Sequence, residues 1–338
     1  MDFHRKLKLM IAKLMGHVAL GNISIDGSKI HADASKSKAV SYGKIEEMET
    51  SLQKEIEELF AIAARAEKER KDEVNIDEEI RLRKGRLLGL SEAKAVLEAR
   101  ARARYEEAKA EYDNKMKARE EKEKATGKKP RGRVPKEPTP DAPEFKEQYN
   151  FTDPESRIMK NGNNSGYDQS YNVQAAVEQD NQLIVGNTLS NHPNDKQEGI
   201  PTVKAIPAQL GTPDAAAMDN GYLSKEAIEA FEQMGIDPYI ALGRERHYMT
   251  VSELFEGEPE RPPDNADYKV KMAYKLRTQA GKAIYKLRKS TVEPVFGIIK
   301  EVMGFRQFSL RGLAKAAGEW NLVCLAYNLK RLHVLHLT

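Results

Sequence analysis

A single cysteine, Cys324, in 338 residues leaves no disulfide within the chain and no thiolate set for a zinc site. Histidines number seven, and among them His31, His192 and His247 stand at no spacing a metal centre uses. Long apolar runs are missing too, and none approaches the roughly 18 residues of a membrane span. No glycine-rich loop of the P-loop type is present, so nucleoside-triphosphate chemistry is not expected. Ser28 has no histidine partner in view, which argues against a serine-hydrolase nucleophile. A strong charge of either sign is also absent: the net charge is +3 and the pI about 8.6. That balance alone does not argue for a polyanionic partner. The N-terminal MDFHRKLKLMIAKLMGHVAL is basic and then apolar, as a signal peptide is. But Lys6, Lys8 and Lys13 interrupt it and no small-residue cleavage site follows. It reads as an amphipathic helix of a cytoplasmic protein with no membrane partner.

What is present is unevenly spread. From Gly281 onward ten Lys or Arg face three Glu, a net of +7 over 58 residues. Lys44 to Ala125 holds twenty bases against twenty-two acids and nearly cancels. The basic excess therefore lies toward the C-terminus, where a polyanion is best accommodated.

Periodicity divides the chain further. Residues 1–20 predict a helix that Gly21 ends. NISIDGSKI alternates as a short strand. Ile45, Met48, Leu52, Ile56, Leu59 and Ala63 recur at helical spacing among Glu, Lys and Arg. Val74 to Gly89 breaks that pattern, and a second helix is expected from Ser91 toward Met116. Residues 44–126 thus read as an inserted helical hairpin, scaffold or partner-facing more than catalytic. A basic, Pro-rich linker is expected over 127–149. YNVQAAVEQ and QLIVGNTLS, joined by a DN turn, predict a β-hairpin. Ala215 to Met218 is a short apolar strand, and Ser224 caps a helix holding Ile228 and Phe231. DPYIALGR is a further strand, 245–266 is polar and Pro-rich, and the remainder is helical. Trp320, Val323, Cys324 and Tyr327 share one helix face and are core. The outline is α/β: a mixed sheet flanked by helices, formed by 21–43 and 150–338 and interrupted after its first strand.

Three acids stand out. Asp26 is on a short strand before Gly27, Asp219 ends an apolar strand before Asn220-Gly221, and Glu293 lies in KSTVEPVFGIIK, read as a helix start. Each also has a plain structural reading. Asp-Gly and Asp-Asn-Gly are common turns, and Ser290-x-x-Glu293 fits a capping box. Together they suit phosphodiester cleavage, which needs an activated nucleophile, a stabilised leaving oxygen and neutralised phosphate charge. Hard cations such as Mg²⁺ take oxygen ligands, and strand ends hold such ligands rigidly. Asp195, after the predicted hairpin, is a lesser candidate for a supporting group and otherwise a turn residue.

IDGSKIHADASKSKAVSY, SYNVQAAVEQDNQLIVGNTLSNHPND, MDNGYLS and RKSTVEPVFGIIKEVMGFRQFSLRGLAKAAGEWNLVCLAYNLKRL resemble bacterial insertion-sequence transposases of the DDE superfamily. The resemblance implies an RNase H-like core that cleaves element ends and transfers strands into target DNA. It implies two Mg²⁺ or Mn²⁺ ions held by Asp26, Asp219 and Glu293, double-stranded DNA as partner, and a homo-oligomer on DNA in the bacterial nucleoid. The family's Tyr-x2-Arg-x3-Glu-x6-Lys pattern falls on Tyr285, Arg288 or Lys289, Glu293 and Lys300, as DNA-binding groups around the glutamate. Arg288 is one residue too far from Glu293 for the pattern, and Lys289 restores the spacing. Relatives carry a longer helical N-terminal domain, so 1–20 is expected to be a remnant of one. The alternative reading is a truncated, catalytically inactive DNA-binding regulator.

Overall fold

The structure, a computed structural model, describes residues 13, 16, 20–69, 75–129, 132–139, 142–160, 166–243 and 259–337. The expected N-terminal helix, His247 and most of the polar 245–266 segment lie outside the described residues. By contacts the chain divides into two compact units, one of Ser37–Phe151 and one formed by the chain on either side of it.

Strand β1 (Asn22–His31) opens the larger unit. Its alternation sends Ile23 and Ile25 to one face and Ser24, Asp26, Ser28 and Ile30 to the other. β1 does not stop at Asp26-Gly27 as a turn would; it continues four residues past Gly27. Glycine is needed there for clearance, since a Cβ would lie 2.3 Å from Gln174 Nε2.

The smaller unit begins with β2 (Ala39–Ser41), antiparallel to β3 (Gln148–Asn150) at its end. Between them lie α1 (Tyr42–Glu69) and α2 (Ile76–Thr126). Ile45 and Leu52 pack with Leu90, Ala93 and Leu97. Ion pairs of Lys94 with Glu46 and Glu49, and of Arg83 with Glu55, run in opposite chain order, so the helices are antiparallel. Over the described part of the expected break, from Asn75 to Gly89, the chain is helical: α2 starts at Ile76 and passes through Gly85 and Gly89. Asn75 accepts from Glu78 N, and Asp77, Glu78 and Glu79 fill the first turn, favouring a helix start at that point. Each interior glycine costs only about 1 kcal/mol against alanine, too little to stop a helix packed along its length.

The larger unit resumes with β4 (Arg157–Lys160), β5 (Tyr167–Glu178) and β6 (Ile184–Ser190). α3 (Gly199–Lys204), β7 (Ala215–Met218), α4 (Lys225–Gln233) and β8 (Asp237–Ile240) follow. The chain closes with α5 (Tyr268–Arg277), α6 (Gln279–Gly297) and α7 (Leu313–Leu337). The sheet order is β4-β5-β1-β7-β8, with β6 also paired to β5. β5 is antiparallel to β1, β4 and β6, whereas β1, β7 and β8 are parallel. This is the mixed α/β sheet with flanking helices that the sequence pattern predicts.

Both sheet faces are buried. Ile23, Ile25, Ala216 and Met218 pack with Phe231 of α4 and Val203 of α3. Ile30, Val173 and Ala175 pack with Val292, Val295 and Phe296 of α6 and with Trp320, Cys324 and Tyr327 of α7. α6 therefore lies over the face of β1 that presents Asp26. Among the described residues no helix is long and apolar enough to cross a membrane.

Candidate active site

Register brings the first two acids together. In the parallel pair β1–β7, Ile25 stands opposite Met218, so Asp26 and Asp219 occupy the next position on adjacent strands. Neighbouring strands are about 4.8 Å apart, and side chains at matched positions point the same way. Asp219 also keeps its turn role, accepting from Gly221 N at 2.8 Å as the cap of a short 3₁₀ turn. The turn reading and the site reading of Asp219 are therefore compatible.

Glu293 is not at a helix start. It sits in the last two turns of α6, whose own cap is Thr278, and Ser290 Oγ donates to Leu287 O instead of forming a capping box. Pro294 stays inside the helix. Proline at that position withdraws the N–H that would satisfy the carbonyl of Ser290, four residues back. Gln182 Nε2, from the β5–β6 turn, donates to that carbonyl at 3.0 Å. A tertiary hydrogen bond thus replaces the helical one, and Glu293 keeps helical geometry.

Arg288 joins the acids. Its Nη1 lies 3.2 Å from Asp26 Oδ2, and its Nη2 lies 3.6 Å from Glu293 Oε1. Arg288 is buried, with its guanidinium carbon 5.8 Å from the Tyr285 ring centroid, while Lys289 is exposed on the outer side of the helix. Of the two candidates for the family arginine, Arg288 is the one turned to Asp26. Lys300 falls in a π turn, residues 298–302. Its Nζ donates to Ser28 Oγ at 2.5 Å and to Lys29 O at 3.3 Å, one strand position along from Asp26 on the same face.

The electrostatics follow from burial. Desolvation pushes the Asp26 carboxyl from its ordinary 3.8 up to about 7; Arg288 pulls it down, and Asp219 and Asp195 push it up. Burial also raises Asp219, against the pull of the Gly221 N–H and Arg288. Burial lowers Lys300. Two desolvated carboxylates side by side, with one guanidinium against Asp26, leave negative charge that a cation could neutralise. Among the described residues, however, no three His, Cys, Asp or Glu side chains stand together as a ready metal site. Arg288 reaches between Asp26 and Glu293.

Asp195, a lesser candidate in the sequence, also stands near these acids, its Oδ1 2.7 Å from where a Cβ at Gly27 would lie. Asn172 and Gln174 donate to it from β5, and their polarity among the apolar residues of a buried strand was the available signal.

Comparison with curated proteins and comparison with solved structures each find no match. The family described as transposase DDE domain matches residues 133–329, a stretch that includes Asp195, Asp219, Arg288, Glu293 and Lys300 and leaves Asp26 outside. Over more than half of its length the chain carries this domain, and it belongs to the DDE transposase family.

Proposed function

We propose that this chain is a DNA transposase that cuts element ends and joins the freed 3′-hydroxyl to target DNA. Its core is proposed to be RNase H-like, with Ser37–Phe151 as a helical insertion after the first strand. The sheet order supports this: an antiparallel β6-β5-β1 side joined to a parallel β1-β7-β8 side, with Asp26 on β1 and Asp219 directly after β7. The observation that carries the reading is the meeting of Asp26 and Glu293 on one guanidinium, with Asp219 beside Asp26 in the register.

The donor set fits a hard divalent cation, since Asp26, Asp219 and Glu293 offer only carboxylate oxygens and Asp26 is poorly compensated where it stands. These three would hold Mg²⁺ or Mn²⁺, two ions in the reading proposed. The chemistry that two such ions supply when bound is activation of an attacking hydroxyl and neutralisation of charge on the reacting phosphate. Arg288 balances Asp26 in the free protein, and its planar fork would be able to make two charge-assisted bonds to a phosphate once cations take over the carboxylates. Lys300, partly buried beside Ser28, supplies a fixed positive charge along the same strand face. Tyr285 and Lys289, on α6 next to Arg288, complete the DNA-facing set. Double-stranded DNA is the proposed partner, and a homo-oligomer on DNA the proposed working form.

One observation favours a second reading, a catalytically silent DNA-binding protein: no ready trio of metal ligands exists among the described residues. A single experiment separates the two. Pre-cut duplex ends carrying the element's terminal repeats, incubated with Mg²⁺ and target DNA, should yield joined products with the parent chain. Glu293→Gln should bind the same duplex as tightly or more tightly, with joining at background. Equal joining by parent and variant removes Glu293 from the chemistry. Binding without joining by the parent favours the silent reading.

A further inference from the structure

Asp195 lies on the loop between β6 and α3, where its carbonyl accepts from Glu198 N at 3.0 Å in a local turn, but its side chain bonds elsewhere. Its Oδ1 accepts from Asn172 Nδ2 at 2.7 Å and from Gln174 Nε2 at 2.8 Å, and lies 3.4 Å from Lys29 Nζ. Gln174 Oε1 in turn accepts from the Tyr222 hydroxyl. The carboxylate therefore gathers donors from β5 and β1, and through Gln174 it reaches the turn that follows Asp219.

Two glycines show how close this approach is. A Cβ at Gly27, next to Asp26, would lie 2.7 Å from Asp195 Oδ1. One at Gly221, two residues past Asp219, would lie 3.7 Å from Asp195 Cβ. The backbone on which each aspartate is carried thus passes against the same side chain. Asp195 is 25% exposed, and Tyr222 and Gln174 are fully buried, so this network is packed from beneath. An ordinary Asp turn would bond its own backbone two residues on. Here the partners are 21 to 166 residues away.

We propose that Asp195 is a positioning residue for the reaction assigned above: by clamping Lys29, Asn172 and the Gln174–Tyr222 pair, it fixes the separation of Asp26 and Asp219 and so the cation affinity of that pair. The inference rests on the metal-dependent reading and adds a residue that touches neither cation nor DNA. Groups that orient metal ligands typically change metal affinity or activity by about 10- to 100-fold when removed.

The test uses the full chain with Asp195→Ala and Asp195→Asn, alongside Asp26→Asn. Melting temperature is followed against MgCl₂ and MnCl₂ concentration, and strand joining and duplex binding are measured in parallel. Asp195→Ala should need about tenfold more cation for half-maximal stabilisation and join strands correspondingly more slowly, with duplex affinity unchanged. Asp195→Asn keeps an acceptor oxygen for Asn172 and Gln174 and should recover most of both losses. A lower melting temperature with the parental cation midpoint would mean Asp195 is only structural, and the proposal fails. It also fails if Asn is no better than Ala. A parent whose melting ignores cation, as Asp26→Asn should, overturns the metal-dependent reading and this proposal with it. Should Asp195→Ala not fold, Asn172→Ala, which removes one donor of the clamp, decides: a cation midpoint displaced toward about tenfold supports the clamp, and a parental midpoint overturns it.

Discussion

Arg288 and Asp26 are 262 residues apart in the chain and 3.2 Å apart in the fold, a buried guanidinium facing a carboxylate on the central strand. That pairing should couple the two in stability. With Asp26 ionised, Arg288→Ala leaves the carboxylate without its nearest counter-charge. The cost should be larger at pH 8 than at pH 5, and smaller in an Asp26→Asn background. A double-mutant cycle by urea denaturation should give a coupling of roughly 1–3 kcal/mol. Additive single and double variants would show that the contact is electrostatically idle.

The pH dependence of stability has a definite sign. Asp26 titrates at about 7 when folded and near 3.8 in the unfolded chain, so between those values the folded protein holds the extra proton. Its contribution is most favourable below about pH 4 and is lost as the pH rises to 7. Asp219, also raised, acts in the same direction. In chelator, the stability of the parent relative to Asp26→Asn should fall by up to ~4 kcal/mol from pH 4 to pH 8. Parallel pH profiles for the two proteins would remove the argument.

Lys300 should report on DNA backbone contact. If Lys300 neutralises one phosphate as proposed, Lys300→Ala should weaken duplex binding similarly for all sequences and lower the salt slope by about one. Fluorescence anisotropy across a NaCl series measures both. An unchanged slope would confine Lys300 to bracing Ser28 and the Lys29 carbonyl.

The Ser37–Phe151 unit enters and leaves by paired strands: Ala39 faces Asn150, and Phe151 N donates to Lys38 O at 3.0 Å. A short linker can therefore join Lys36 to Thr152. The excised protein should keep its sheet, read as cooperative unfolding with Trp320 still buried against Phe296. Non-cooperative unfolding would show that the larger unit depends on the smaller one.

Local chemistry is what a sequence carries openly. The period-two runs around Tyr171–Glu178 and Ile184–Ser190, the Ser224 cap and the shared face of Trp320, Cys324 and Tyr327 all express contacts within a few residues. Each therefore left a repeat or a spacing to be read, and so did the order of the three acidic motifs. What the chain order could not express was decided in three dimensions. Pro294 signals a helix boundary by itself, and it is tolerated inside α6 because Gln182, 108 residues away, bonds the carbonyl it orphans. That Arg288 and not Lys289 is turned to Asp26 depends on which face of α6 meets β1, and so on the packing of Val292, Val295 and Phe296 rather than on motif spacing. For Asp195 the sequence left a turn and a supporting group both open, and its carbonyl does make a turn while its side-chain partners lie on other strands. The polar Asn172 and Gln174 within a buried strand hint that such a partner exists, but only the folded arrangement of β1, β5 and the Asp219 turn shows which residue it is.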